Sequence, residues 1–268
     1  MSRPFVLVKL GGSLITDKKR AGVARHAAIR RLAREFAALT ASSKAPRLLV
    51  GHGSGSFGHA AAARGGLLPG ADARKKLDAV AETRRRASDL NRLVVAALIA
   101  EGARPFSFAP SSFLHAEDGR VTGRFLEPVF EALDRGLLPV VYGDVVLDAT
   151  RGAIIVSTEA LFLILAQEAA RRKRTISRAV WLGETDGVDD GDGSTIAHMT
   201  ASKAGRAARR VAGASGTDVT GGMALRLQAV SVLAKAGVAS AIVDGRKPGA
   251  LAKAVAGREA GGTRVGSR

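Results

Sequence analysis

The chain has 268 residues, 46% of them hydrophobic, no cysteine and a formal net charge of +17. That length buries one substantial core, so a single domain spanning residues 1–268 is expected, and the lack of cysteine excludes disulfides, thiolate metal sites and cysteine nucleophiles. No apolar run approaches the ~18 residues that span a bilayer and residues 1–9 carry no signal-peptide pattern, so a cytoplasmic protein without a membrane partner is expected.

In chain order, residues 5–10 read as a strand and residues 25–41 as a helix with Ile29, Leu32, Ala33 and Phe36 at helical spacing. Arg30, Arg31 and Arg34 then fall on the polar side of that helix, and Arg84 to Arg86 recur in a similar way farther on. Such runs are ordinary solvated faces. With only 4% aromatic residues to stack on bases, they argue against nucleic-acid binding as the main function, although the charge can still attract anionic substrates. Residues 47–51 form a second strand, followed by a long helix over 73–100, a strand over 104–109, one buried strand over 138–147 and a short one over 154–156. A helix over 158–171, a strand over 177–182, helices over 201–211 and 223–236, and strands over 239–243 and near Arg264 complete the pattern. Strands separated by helices of this length require crossover connections, which gives an α/β fold with a mainly parallel central sheet covered on both faces.

The short glycine clusters follow strands, where ligands bind in open α/β sheets. Lys9-Leu10-Gly11-Gly12-Ser13, followed by Lys18, offers backbone amides and two point charges to a phosphate, although a glycine turn leaving a strand explains the same residues. Gly51-His52-Gly53-Ser54-Gly55-Ser56-Phe57-Gly58-His59 is denser in glycine. It satisfies G-x-G-x-x-G, yet the strand with an acidic residue expected ~20 positions on is absent, and so is the Gly-Lys-Ser/Thr ending of a Walker A loop. His59 ends this loop where an imidazolium can hydrogen-bond an anion held by amides, whereas His52 reads as structural.

Asp144 ends a buried run and either orients a ligand or braces loop amides. Ser157, Thr158 and Glu159 open the next helix as capping and first-turn residues do, without requiring a function. Residues 189–195 read as an exposed loop. Thr185-Asp186-Gly187-Val188 and Asp218-Val219-Thr220-Gly221-Gly222-Met223, the latter ahead of Arg226, can serve a nucleotide, or can be a turn and an N-cap.

Taken together and in this order, Lys-Leu-Gly-Gly-Ser, Gly-Ser-Gly-Ser-Phe-Gly-His, Tyr-Gly-Asp-Val-Val, Thr-Asp-Gly-Val and Asp-Val-Thr-Gly-Gly-Met resemble the isopentenyl phosphate kinases of the amino acid kinase superfamily. The resemblance implies an open αβα sandwich, with an acceptor-binding part over about residues 1–170 and an ATP-binding part over about 171–268. It also implies a homodimer that uses ATP and Mg²⁺ on a small-molecule phosphate, with no metal held by the protein itself. Carried over by residue, it makes Lys9, Gly11, Gly12, Ser13, Gly55, Asp186 and Gly222 ATP contacts and Lys18 the transition-state stabiliser. Ser54, Gly55 and His59 become acceptor contacts, and Asp144 and Thr158 lie toward the substrate.

Three places depart from the family pattern. Arg226 stands where lysine is usual, which keeps the charge but alters reach and geometry. Ser157-Thr158-Glu159 replaces Ser-Gly-Asp, putting a side chain near the expected acceptor phosphate, and the loop after Asp186 continues differently. Two other readings therefore stay open, a kinase of another small phosphate or phosphonate such as fosfomycin, and a non-catalytic nucleotide- or nucleic-acid-binding relative.

Overall fold

A computed structural model describes residues 3–42, 45–68, 70–214 and 222–266. In the first half, β1 (Phe5–Leu10), the short α1 (Gly12–Ile15), α2 (His26–Thr40), β2 (Arg47–His52), α3 (Gly55–Arg64) and α4 (Leu77–Ala100) follow one another. Then come β3 (Pro105–Ser107), β4 (Leu114–Glu117), β5 (Arg120–Arg124), α5 (Glu127–Asp134), β6 (Leu138–Tyr142), β7 (Asp144–Asp148) and β8 (Gly152–Val156). The rest comprises α6 (Thr158–Arg171), β9 (Ile176–Gly183), β10 (His198–Thr200), α7 (Ala201–Ala214), α8 (Gly222–Lys235), β11 (Ser240–Asp244), α9 (Ala250–Val255) and β12 (Thr263–Gly266). Among the described residues no helix is long and apolar enough to cross a membrane.

The main sheet has the order β10-β12-β11-β9-β1-β2-β6-β3 and is parallel except where β11 meets β12. Alternation of side chains along each strand divides the core into two layers. Val6, Val8 and Leu10 of β1 join Ile29, Leu32 and Phe36 of α2, Leu90 and Val94 of α4 and Leu251 of α9 on one face. Phe5 and Leu7 join Val129 and Phe130 of α5, Phe162 and Leu165 of α6 and Leu227 of α8 on the other. Helices on both faces make the αβα sandwich that the alternation predicts.

The expectation of one strand over residues 138–147 is corrected. The chain breaks at Gly143: β6 belongs to the main sheet, whereas β7 leaves it for a second sheet of order β5-β4-β7-β8. β6 is buried throughout, and Val145, Val146 and the exposed Leu147 of β7 continue its apolar run past Asp144, so hydropathy gives little sign of where the chain changes sheets. The hairpin of β4 and β5, the helices α5 and α9 and the edge strand β10 were likewise not anticipated; they are short, and several alternate weakly or carry Arg and Glu. Residues 189–195 form the exposed loop expected, pinched by a bridge between Asp189 and Thr195.

Candidate active site

Three central strands end side by side, and the pleat decides which side chains meet there. Lys9 follows Phe5 and Leu7 onto the face shared with α6 and α8, and its register partners are Gly51 on β2 and Trp181 on β9. Gly51 has no side chain because α6 starts directly over it: a Cβ there would lie 2.5 Å from Thr158 Cγ2 and 2.6 Å from Phe162 Cε1. That close approach brings the first turn of α6 to Lys9, whose ammonium donates to Glu159 Oε1, with both side chains buried. At Gly183, the end of β9, a Cβ would stand 2.9 Å from Arg226 Nη1, so the guanidinium of α8 lies across the strand end and reaches Gly11 as well.

One buried carboxylate is thus ion-paired to Lys9, and its charge also acts on the buried Arg226, which makes no ion pair among the described residues. Burial by itself would raise the Glu159 carboxyl, but Lys9, by its charge and its hydrogen bond, and Arg226 bring it below the usual carboxylate range. Burial draws the Lys9 ammonium downward, with Arg226 adding to the fall and Glu159 opposing it. Glu159 was read from the sequence as a first-turn residue without a role. Its own loop gives no hint, but Lys9 inside an otherwise apolar strand does, because a buried ammonium requires a counter-charge.

The two glycine loops meet backbone to backbone. A Cβ at Gly12 would lie 2.7 Å from Gly55 Cα, and Gly55, at φ +51°, would place one 2.3 Å from Thr16 Oγ1, so neither position has room for a side chain. Thr16 Oγ1 in turn accepts from the Ser56 amide at 3.0 Å. The amides of Gly11 and Gly53 are committed to Leu182 O and Leu10 O. Gly12, Ser13 and Gly55 occupy first-turn positions of α1 and α3, where helix geometry supplies no intrahelical acceptor for the N–H. Gly11 therefore contributes by lacking a side chain, since a Cβ would press to 2.9 Å from Leu182 O.

Lys18 is exposed on a loop closed by the bridge between Thr16 and Ala24. The Gly22 amide donates to Ser56 O at 3.2 Å and ties that loop to the first turn of α3. His59, also exposed, sits three residues beyond Ser56 and so on the same helical face. Ser54 is buried beneath Gly58, where a Cβ would lie 2.4 Å from its hydroxyl.

Thr158 does not project into the space between the loops. Its hydroxyl donates to His52 O at 2.7 Å and its methyl packs on Gly51. Ser157 caps α6, accepting from the Ala160 amide at 3.2 Å. Both oxygens of Asp144 accept from amides, Val145 at 2.9 Å and Ser111 at 3.2 Å, which is the loop-bracing alternative; burial pushes its carboxyl up. His52 is buried in a stack on Tyr142, with ring centroids 5.6 Å apart, and burial lowers its pKa.

On the other side of the strand ends, Asp186 Oδ2 accepts from Lys247 at 2.6 Å, while Asp186 Oδ1 is buried and has no hydrogen-bond partner among the described residues. It borders a cavity of about 250 Å³ that Met223 and Val211 also line, next to Gly222 at the start of α8. Residues 218–221 lie outside the described residues. Among the described residues no three His, Asp or Glu side chains gather closely enough to hold a metal ion.

Residues 4–244 match the Amino acid kinase family. The chain is 32% identical to the isopentenyl phosphate kinase of Methanothermobacter thermautotrophicus, covering 97% of this chain and 98% of that protein. It is 34% identical to that of Haloferax volcanii, over 92% and 98% of the two chains. Among solved structures, one described as "X-ray structures of isopentenyl phosphate kinase" superposes with a TM-score of 0.77 at 28% identity, covering 97% of this chain and 99% of that one. A product complex of the Thermoplasma acidophilum isopentenyl phosphate kinase gives 0.70 at 25% identity, with 97% and 99% covered.

Proposed function

Because the chain belongs to the amino acid kinase family and, within it, to the isopentenyl phosphate kinases, we propose that it transfers the γ-phosphoryl group of ATP to isopentenyl phosphate, giving isopentenyl diphosphate and ADP. The observation that carries this reading is the backbone contact of the Gly12 and Gly55 loops beside the buried Lys9, Glu159 and Arg226 cluster. A phosphate monoester has a second pKa near ~6, so at neutral pH the acceptor is already an anionic nucleophile and needs no general base. The obstacle is repulsion: two unit charges ~4 Å apart cost about 4 kcal/mol at an effective dielectric of ~20.

In this reading Lys9, Gly11, Gly12, Ser13, Gly55, Asp186, Gly222 and Arg226 serve ATP, with amides and fixed cations holding its phosphates for in-line attack. Lys18 neutralises the transferring group, while Ser54, Gly55 and His59 hold the acceptor phosphate. Thr158 and Asp144 support the acceptor side through the backbone they brace. Mg²⁺ would be carried in on the nucleotide phosphates and would supply charge neutralisation there, and Asp186, with one oxygen unpartnered among the described residues, is the side chain that would meet its hydration shell. The acceptor part covers about residues 1–170 and the ATP part about 171–268. A cytoplasmic homodimer completes the reading.

ATP consumption measured side by side with isopentenyl phosphate, dimethylallyl phosphate and fosfomycin tests the assignment. Isopentenyl phosphate is expected to give the highest kcat/KM; preferential use of fosfomycin, or no turnover on any acceptor, overturns it. His59→Ala should weaken acceptor use far more than ATP binding, and an equal loss of both would remove His59 from the acceptor site.

A further inference from the structure

Toward the opposite end of the sheet from the glycine loops lies a second cavity, of about 330 Å³, lined by Arg178, His198, Lys203, Arg258 and Arg264 and by no carboxylate. Arg178 is the third residue of β9, five residues before Gly183, which at ~3.3 Å per residue puts it about 17 Å from the strand end where Arg226 lies. Arg264 stands directly across from His198 on β10 and from Ala241 on β11, so these side chains share one face of the sheet. Arg178 is on that face too, two residues before Val180, the partner of Ala241. Its guanidinium rests on bare backbone, with Nη1 1.8 Å from where a Cβ of Gly257 would be.

None of the five makes an ion pair among the described residues. Nearby arginines behave otherwise: Arg171, Arg172 and Arg174 each engage a carboxylate. The stretch from 194 to 243, which supplies His198 and Lys203, holds Asp218 as its only Asp or Glu, and Glu259, next to Arg258 in the chain, does not line the cavity. The floor is small and apolar, with Ala239, Ala241 and Ala254 leaving room for a compact body. A concave site of this size, with convergent basic side chains over an apolar floor, has the make-up of a small-molecule pocket, and among the described residues no Phe, Tyr or Trp lines it to stack a nucleic-acid base.

We propose that this cavity is a second anion site, separate from the phosphoryl-transfer site, which takes a small phosphate ester: the phosphate against the cationic rim and a compact apolar body on the alanine floor. It stands whichever acceptor the transfer site uses. The test is equilibrium dialysis of the full chain with a non-hydrolysable bisubstrate analogue, ATP-like at one end and isopentenyl phosphate-like at the other, saturating both parts of the transfer site, using isopentenyl diphosphate, AMP and inorganic pyrophosphate as probes. One equivalent of either ester per chain is expected to be retained, with pyrophosphate at least tenfold weaker; the tighter ester identifies which kind of body the floor accepts.

Arg258→Ser with Arg264→Ser, both exposed positions, should weaken that binding at least tenfold, and the pair Arg258→Lys with Arg264→Lys should restore most of it. Neither pair should move kcat/KM on the kinase substrate more than about twofold. No retained equivalent, binding that survives the double serine variant, or pyrophosphate as tight as both esters would overturn the proposal. So would single-stranded RNA being the one probe whose binding the variant abolishes. Loss of kinase turnover on every acceptor, with the dialysis result intact, would strike the transfer-site assignment alone.

Discussion

Two groups of cations on the same sheet are handled in opposite ways. At the carboxyl ends of β1 and β9, Lys9 and Arg226 are buried, Lys9 paired with Glu159 and Arg226 within reach of that carboxylate's charge. Toward the other end, Arg258 and Arg264 are exposed and pair with no carboxylate among the described residues. Burial accounts for the contrast: an ammonium removed from water must be compensated by the protein, whereas a solvated one can wait for a ligand. Net charge therefore says little about function until each cation is assigned to one class or the other. Within the run Arg84 to Arg86, suggestive in sequence, Arg85 and Arg86 are paired with Glu82 and Asp89 on their own helix.

The sharpest way to break the contrast is Glu159→Gln. It leaves two buried cations facing each other and should cost about 3–5 kcal/mol, read from denaturant unfolding, because removing one partner of a buried pair strands the remaining charge. If stability held within 1 kcal/mol, the carboxylate would not be compensating them. Next comes Gly51→Ala, which drives a methyl into Thr158 and Phe162. Overpacking of this kind costs about 1–3 kcal/mol, and the displaced first turn of α6 should lower turnover through Glu159 as well.

A pH measurement sharpens the comparison at an intermediate site. Glu168, hydrogen-bonded first by Arg171 and also by Arg172, is held at about 2 in the folded protein, against about 4.3 for an unperturbed glutamate. A depressed carboxylate stabilises the fold fully above its unfolded pKa and loses that contribution as pH falls through the folded one. Wild-type stability should accordingly decline between pH ~4.3 and ~2. In Glu168→Gln the decline should be shallower; parallel curves would show that the pair contributes nothing. The smallest effect is expected for Arg85→Ser, at an exposed pair with Glu82 and Asp89, whose unfolding midpoint should be indistinguishable from wild type.

Much of the architecture was legible from residue order, because period-2 runs such as residues 5–10 and period-3.6 runs such as residues 26–40 each specify one local geometry. The break at Gly143 was not, since an apolar strand looks the same whichever sheet receives it. Within the candidate site, glycine density marked Gly12 and Gly55, but the contact between their loops depends on β1 and β2 being neighbours. Thr158 carried the opposite lesson: a side chain where the family has glycine suggested obstruction, yet its hydroxyl and methyl turn into the space that Gly51 leaves.

What the order of amino acids determined alone was the class of fold, the family and the loops at the strand ends, because these depend on periodicity and short motifs within one stretch of chain. Only the tertiary structure decided that Glu159 belongs with Lys9 and Arg226, and that five basic residues from β9 onward converge without a carboxylate. Charge compensation is settled between residues far apart in the chain, and which of them lose their water is fixed only when the layers pack.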